Sequence, residues 1–113
     1  MNLLILILIY GVINMINFVR EYGITTVDYK YLIHNLRMDI MESIELNEDN
    51  IREVLKFYND LGITTGLVNL FIYRPDLIVN TKANIEDIIN KVDKDTFINL
   101  VNNSVEDLIV IGI

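Results

Sequence analysis

Hydrolytic chemistry usually depends on a histidine or an activated serine, and this chain contains one histidine and two serines. His34 is the only histidine, so the sequence can build neither a multi-histidine metal site nor a relay between two imidazoles. Ser43 and Ser104 lack the flanking glycines of a strained nucleophile turn. The sequence therefore predicts a protein that is not an enzyme, with His34 as a surface or packing residue.

Two acidic stretches resemble cation sites at first sight. Residues 45–49 lack the alternating oxygen ligands, central glycine and closing glutamate of a calcium loop, and Asp93-Lys94-Asp95 fails in the same way. We predict a solvated loop between helices for the first stretch and a helix start for the second. The five glycines are scattered and form no phosphate-binding loop. We therefore expect the protein to bind no cofactor and no metal ion.

The charge balance constrains the partners. The chain has 16 acidic residues against 9 lysines and arginines, so its net charge of −7 should repel phosphate backbones and disfavours nucleic acid as a partner. A chain of 113 residues is long enough to bury one core, which predicts a single domain. The absence of cysteine excludes disulfides and favours an intracellular, cytoplasmic protein.

The N-terminal segment, residues 1–19, contains no charged side chain. This length is close to that of a bilayer span, so a membrane anchor is one interpretation. Polar residues at helical spacing, including Asn14, Asn17 and Glu21, favour instead an amphipathic core helix over residues 1–21. Residues 3–9 are apolar on every side and must be buried in the core, in a partner or in lipid, and a short strand is a third option for them.

Three blocks of sequence recur later in the chain in the same order. Residues 23–26 return as residues 62–65, residues 37–41 as residues 74–78, and residues 50–55 as residues 84–89. A third, incomplete copy begins at Asp93, and residues 105–109 take the place of its second block. A period of ~30 to 40 residues with helical patterning is typical of an α-solenoid, whose units must stack to bury their apolar faces.

Each copy is predicted to fold as helix, turn and helix. In the second copy, Thr64 or Thr65 should cap a helix that runs from Leu67 towards Tyr73 and ends before Pro75. Asn84 should cap the next helix, over residues 85–92. In the first copy we expect helices over residues 27–36 and 51–61, with Gly62 ending the latter in a left-handed conformation. The predicted core of the second copy comprises Leu70, Phe71, Leu77, Ile85, Ile88 and Ile89.

Together these elements predict an all-α protein, a short α-solenoid-like array of helix-turn-helix units. The single domain of residues 1–113 would divide into an apolar N-terminal helix over residues 1–21, repeat one over 22–60, repeat two over 61–91 and a partial repeat three over 92–113. Terminal repeats of a solenoid need a polar outer face, and this chain has strongly apolar ends instead.

The second copy carries a family resemblance in Leu61-Gly62-Ile63 and in the run from Leu70 to Ile78, which contains Arg74-Pro75-Asp76-Leu77-Ile78. This pattern resembles the repeat of the mitochondrial transcription termination factor family, which combines a Leu-Gly-Ile/Phe turn, an apolar helix, a Pro-x-Leu-Leu element and a second helix. The resemblance implies a stacked helical array that grips duplex nucleic acid along a basic groove. The matching basic positions would be Arg37 and Arg74, with Lys30 and Lys82 nearby. Since this chain is acidic, we carry over the architecture and keep nucleic-acid binding as an alternative.

The leading prediction of function is a protein interaction module that binds a protein partner or associates with itself. The apolar ends, residues 3–9 and 108–113, motivate it, because one small core cannot readily cover both. We expect a self-complementary two-fold contact. Its predicted residues are Leu3, Leu4, Leu8, Leu108, Ile109 and Ile111. The alternatives are the nucleic-acid binder, a helical domain tethered to a membrane through residues 1–19, and an acidic mimic of nucleic acid.

Overall fold

The computed structural model describes residues 15–113, and every regular element in this range is a helix. The prediction of an all-α protein is thereby confirmed. This range contains six α-helices and three 3-10 helices. The α-helices are α1 (Thr26–Asn35), α2 (Met38–Leu46), α3 (Glu48–Asp60), α4 (Leu67–Tyr73), α5 (Lys82–Ile89) and α6 (Lys94–Asn103). The 3-10 helices are Asn17–Tyr22, Pro75–Leu77 and Val105–Ile111.

Side-chain caps set the starts of three α-helices. The hydroxyl of Thr25 accepts from the Asp28 amide at 3.2 Å, the hydroxyl of Thr81 accepts from the Asn84 amide at 3.2 Å, and the Asp93 carboxylate accepts from the Thr96 amide at 2.9 Å. Each bond satisfies an amide that has no partner within its helix. The predicted helix start at Asp93-Lys94-Asp95 is confirmed.

The two caps predicted for the second copy are wrong. Asn84 does not cap α5, because the helix begins three residues earlier than predicted and Thr81 takes that role. Neither Thr64 nor Thr65 caps α4 through its side chain, since Gly66 occupies the cap position and the Leu67 amide bonds to the Thr64 backbone carbonyl. The predicted extent of α4 is confirmed, because α4 ends at Tyr73 just before the Arg74-Pro75 pair.

The first copy contains more helix than expected. The acidic residues 45–49 do not form a loop, because α2 runs to Leu46, α3 begins at Glu48 and a single residue, Asn47, separates them. Glu48 and Asp49 occupy the first turn of α3, where carboxylates interact favourably with the helix dipole. For the predicted N-terminal helix, the described part is a turn followed by the 3-10 helix Asn17–Tyr22, and residues 1–14 lie outside the described residues.

Glycines in the left-handed conformation end three of the described elements, and the sequence predicted one of them, Gly62. Gly62 follows α3 with φ of 96°, and the Ile63 amide bonds back to the Tyr58 carbonyl at 2.9 Å, which is a Schellman-type helix end. Gly23 follows the first 3-10 helix with φ of 95°. A Cβ at Gly23 would lie 2.9 Å from the Thr64 Cβ, so this turn also needs a residue without a side chain.

The core lies between two rows of helices. In one row α1 packs against α4 and α4 packs against α6, while in the other α3 packs against α5 and against the first 3-10 helix. Five of the six residues predicted as core in the second copy are buried, and Ile88 is half-buried at the edge of the core instead. Ile88 differs because Ile85 and Ile89, one turn apart, already fill the inward face of the short helix α5.

Tyr58 connects the two rows at the centre of the core. Its hydroxyl donates to the Leu77 carbonyl at 2.6 Å, and its ring stacks on Phe97 with centroids 6.2 Å apart. Burial is the main reason why the pKa of Tyr58 lies well above its ordinary value. Tyr58 thus links α3 to the Pro75 turn and to α6 with one side chain.

Within residues 15–113, none of the helices has both the length and the apolar character that crossing a membrane requires.

Candidate interaction surface

The C-terminal 3-10 helix, Val105–Ile111, presents two large apolar side chains to solvent. Ile109 is 75% exposed and Val110 is 78% exposed. A 3-10 helix has about three residues per turn, so residues three apart point in the same direction. Val105 and Leu108 accordingly face the core and are buried, while the two residues after Leu108 must point away from it. We call Ile109 and Val110 the C-terminal surface.

Several backbone hydrogen bonds hold this helix in place. Ser104 ends α6, its amide bonds to the Leu100 carbonyl at 2.8 Å, and its own carbonyl accepts from the Asp107 amide at 2.9 Å. At the other end Gly112 has φ of 90°, and the Ile113 amide returns to the Leu108 carbonyl. The helix packs on α4 and α6. The C-terminal surface is therefore a fixed feature of the fold, because its residues cannot turn inward without breaking these bonds.

Both charged residues of the C-terminal 3-10 helix are negative. Glu106 lies one turn before Ile109 on one exposed side of the helix. Asp107 lies one turn before Val110 on the other exposed side. Within residues 15–113, neither carboxylate takes part in a salt bridge. Residues 95–113 also contain no lysine or arginine. The surface thus combines exposed aliphatic groups with an acidic border.

A second exposed apolar surface lies on α1. Val27 and Tyr31 are 75% and 47% exposed and lie one turn apart on the same side of the helix. Tyr29 and Leu32 occupy the opposite, buried side. We call Val27 and Tyr31 the α1 surface. The remaining large exposed apolar residues of the described chain are Met38, Leu46 and Tyr73.

The residues predicted for self-association are only partly at the surface. Leu3, Leu4 and Leu8 lie outside the described residues. Leu108 is fully buried and Ile111 is half-buried, because the 3-10 geometry turns both towards the core. Ile109 is exposed as the prediction requires, and Val110 is an exposed residue that the sequence analysis missed. An apolar run without polar residues gives no periodicity from which its outward side could have been read.

Three of the four basic residues named for nucleic-acid contact are paired with carboxylates. The Arg37 guanidinium makes a two-pronged contact with Asp39, and Arg74 makes the same contact with Asp76 through two bonds of 3.0 Å. Hydrogen bonds from Arg37 lower the pKa of Asp39. Lys82 pairs with Glu86 at 3.3 Å, and Lys30 lies on α1. The guanidinium edges that would grip a phosphate are thus occupied by neighbouring carboxylates.

Groups that could support other chemistry have structural roles. His34 Nδ1 donates to the Lys30 carbonyl one turn earlier, at 2.7 Å. Arg52 bonds to Glu48 and Glu21 and lies 5.0 Å from the ring centre of Phe18, so it clamps the first 3-10 helix onto α3. Among the residues that the structure describes, no three His, Asp or Glu side chains form a group that could hold a metal ion.

Comparison with known proteins supplies no relative for this chain. No protein-family model, no curated protein and no solved structure matches it. The resemblance to the transcription termination factor repeat therefore stays a prediction.

Proposed function

We propose that this protein is a non-enzymatic helical-repeat interaction module that binds a protein through its C-terminal surface. The observation that carries the proposal is the fixed outward position of Ile109 and Val110 on the last 3-10 helix. Soluble proteins tolerate single exposed aliphatic residues, but adjacent ones held in a rigid element favour a binding surface. Burying an exposed aliphatic side chain contributes about 1.5–3 kcal/mol, so a partner would gain substantially from covering this pair.

Equivalent local structures support the helical-repeat part of the proposal. Gly23 and Gly62 have nearly the same positive φ, and each precedes a buried isoleucine, Ile24 or Ile63. The next equivalent features are the Arg37–Asp39 and Arg74–Asp76 pairs, which follow the first helix of each copy. Residues that are far apart in sequence thus adopt matching turns and matching ion pairs, as repeated units would.

The third copy fits the same plan with a shifted alignment. Ser104 follows α6 with φ of −157° and ψ of 60°, and Arg74 follows α4 with φ of −138° and ψ of 59°. A 3-10 helix comes directly after each of them. Ser104 therefore corresponds to Arg74, one position earlier than the sequence alignment of residues 105–109 proposed. The side-by-side order α1, α4 and α6 is then the stack of first helices from successive units.

The nucleic-acid alternative has less support. Arg37, Arg74 and Lys82 are paired with carboxylates, and the net charge of the chain is −7. Binding to a phosphate backbone would require these pairs to break and would gain little from counterion release.

Site-specific crosslinking in cells of the source organism tests the proposal. A photoreactive amino acid at position 110 should give discrete protein adducts, while the same group at the exposed position of Lys56 on α3 should not. Both variants should first show wild-type circular dichroism and thermal stability. Equal adduct patterns at both positions, or none at position 110, would contradict the proposed role of the C-terminal surface.

A further inference from the structure

The α1 surface and the C-terminal surface carry opposite charges at their borders. Lys30 and His34 lie on the same side of α1 as Val27 and Tyr31, and both are exposed. Within residues 15–113, Lys30 forms no salt bridge. The C-terminal surface is bordered by Glu106 and Asp107 instead. Each surface therefore combines a pair of apolar groups with charges that the other could neutralise.

Arg20 adds positive charge near the start of α1. Its guanidinium donates to the Thr26 hydroxyl at 3.1 Å and lies 5.3 Å from the ring centre of Tyr29. Asp28, the acidic residue of α1, is half-buried and borders the Val27 and Tyr31 side on the flank opposite Lys30. Near the α1 surface, the two cations Arg20 and Lys30 therefore outnumber the one carboxylate of α1.

A two-fold contact through the C-terminal surface would bring like charges together. In such a contact the same patch meets its own copy, so Glu106 and Asp107 of one subunit would approach the same carboxylates of the other. Like charges opposed across an interface disfavour the complex. A contact between two different surfaces avoids this repulsion, since it can set the acidic border against Lys30.

We propose that the occupant of the C-terminal surface is the α1 surface of a second copy of this chain, so that the copies associate head to tail. The inference rests on the proposed function, because it names the partner of the same surface. Ile109 and Val110 of one copy cover Val27 and Tyr31 of the next, and the acidic border faces Lys30 and His34. A contact between different surfaces leaves one unused surface at each end and therefore extends into a chain or closes into a ring.

Sedimentation velocity on mixtures of two variants of the full chain tests this inference. The first variant, Val27→Gln/Tyr31→Gln, removes the apolar groups of α1, and the second, Ile109→Gln/Val110→Gln, removes those of the C-terminal helix. Neither changes the net charge, and all four positions are exposed. Leu46→Gln is the matched control, because Leu46 is 83% exposed and belongs to neither surface. Circular dichroism establishes that each variant is folded.

The wild type and Leu46→Gln should form species larger than a dimer as concentration rises. Each double variant alone should associate at least ~10-fold more weakly, as expected when the apolar centre of an interface is lost. An equimolar mixture of the two double variants should form a dimer and nothing larger, since it contains one intact surface of each kind per pair.

Charge reversal provides an independent measurement. Lys30→Glu and Asp107→Lys should each weaken association alone, because each leaves like charges facing across the contact. Mixing the two variants should restore association. In the mixture, the negative charge introduced at position 30 of one variant faces the positive charge introduced at position 107 of the other. High salt should reduce this rescue, since exposed charges are screened.

Other results identify other occupants. Dimers of Val27→Gln/Tyr31→Gln alone would mean a two-fold contact through the C-terminal surface, which overturns the head-to-tail inference and leaves the proposed function standing. A wild type that stays monomeric at every concentration also overturns the inference, and the occupant would then be a different protein or residues 1–14 of the same chain. The crosslinking experiment decides between these two, and the proposed function fails only if it too is negative.

Discussion

Replacing Tyr58 with Phe removes one hydroxyl from the core and leaves the ring in place. That hydroxyl donates to the Leu77 carbonyl at 2.6 Å, within a side chain that is fully buried. The variant would leave a buried acceptor without this donor, at a cost of roughly 1–3 kcal/mol. The ring contact with Phe97 should persist, so the loss is smaller than that of a truncation to Ala.

Urea denaturation followed by circular dichroism measures this loss. With a slope of about 1–3 kcal/mol per molar urea for a small protein, the midpoint should fall by about 1 M. Tyr73→Phe is the matched control, because Tyr73 is 59% exposed and its midpoint should not move. A Tyr58→Phe midpoint equal to that of the wild type, at the same slope, would refute the inferred role of this hydrogen bond.

The same variant should change the response to alkali. Burial raises the pKa of Tyr58 in the folded protein above its ordinary value of 10.0, so the neutral phenol favours folding. This contribution is complete below pH 10.0 and is lost as the pH rises above it, because the unfolded chain then releases a proton that the folded chain retains. Tyr58→Phe should flatten the alkaline loss of stability. Burial also raises the pKa of Tyr29, so part of the slope should remain.

Four further outcomes are expected. Phe71→Ala should lower the free energy of unfolding by roughly 3–5 kcal/mol, because Phe71 is fully buried, and calorimetry together with urea titration would measure it. Gly23→Ala should destabilise the protein more than Gly62→Ala. Both positions have positive φ, but only at Gly23 would the added Cβ meet Thr64. An equal fall in melting temperature for the two variants would contradict this. Asp93→Asn should reduce the loss of stability at acid pH. The hydrogen bond from the Thr96 amide lowers the pKa of Asp93 below 3.8 in the folded protein. The stability that the Asp93 carboxylate contributes is therefore present above that pH and is lost as the pH falls through the folded pKa. A fluorescent DNA or RNA duplex should bind weakly or not at all at physiological salt, and tight binding with a steep salt dependence would instead favour the nucleic-acid alternative.

Local signals in the sequence predicted much of the fold. The left-handed turn at Gly62, the helix start at Asp93 and the end of α4 before Pro75 each depend on a few neighbouring residues. Stereochemistry alone restricts such residues, so their effects can be recognised without the tertiary structure. The buried positions of the second copy followed from apolar spacing, with Ile88 as the exception.

The misplaced features depend on information that the local sequence lacks. Polar residues between Glu45 and Asp49 resemble a loop, yet carboxylates also favour a helix start, and the fold uses them in that way. Thr81 and Asn84 are both good caps, and the packing of α5 on α3 selects the earlier one. Val110 was missed because residues 108–111 are apolar throughout, and only the 3-10 geometry determines which of them point outward.

The most direct measurement of the central claim follows the side-chain methyl groups of the unmodified protein by NMR as its concentration rises. If the protein is a module whose C-terminal surface binds the α1 surface of another copy, the methyl signals of Ile109, Val110 and Val27 should shift together with one apparent affinity. The methyl signals of Leu46, which is exposed but belongs to neither surface, should stay in place. Signals of Ile109 and Val110 that remain fixed at all concentrations, or that move no more than those of Leu46, would contradict the account.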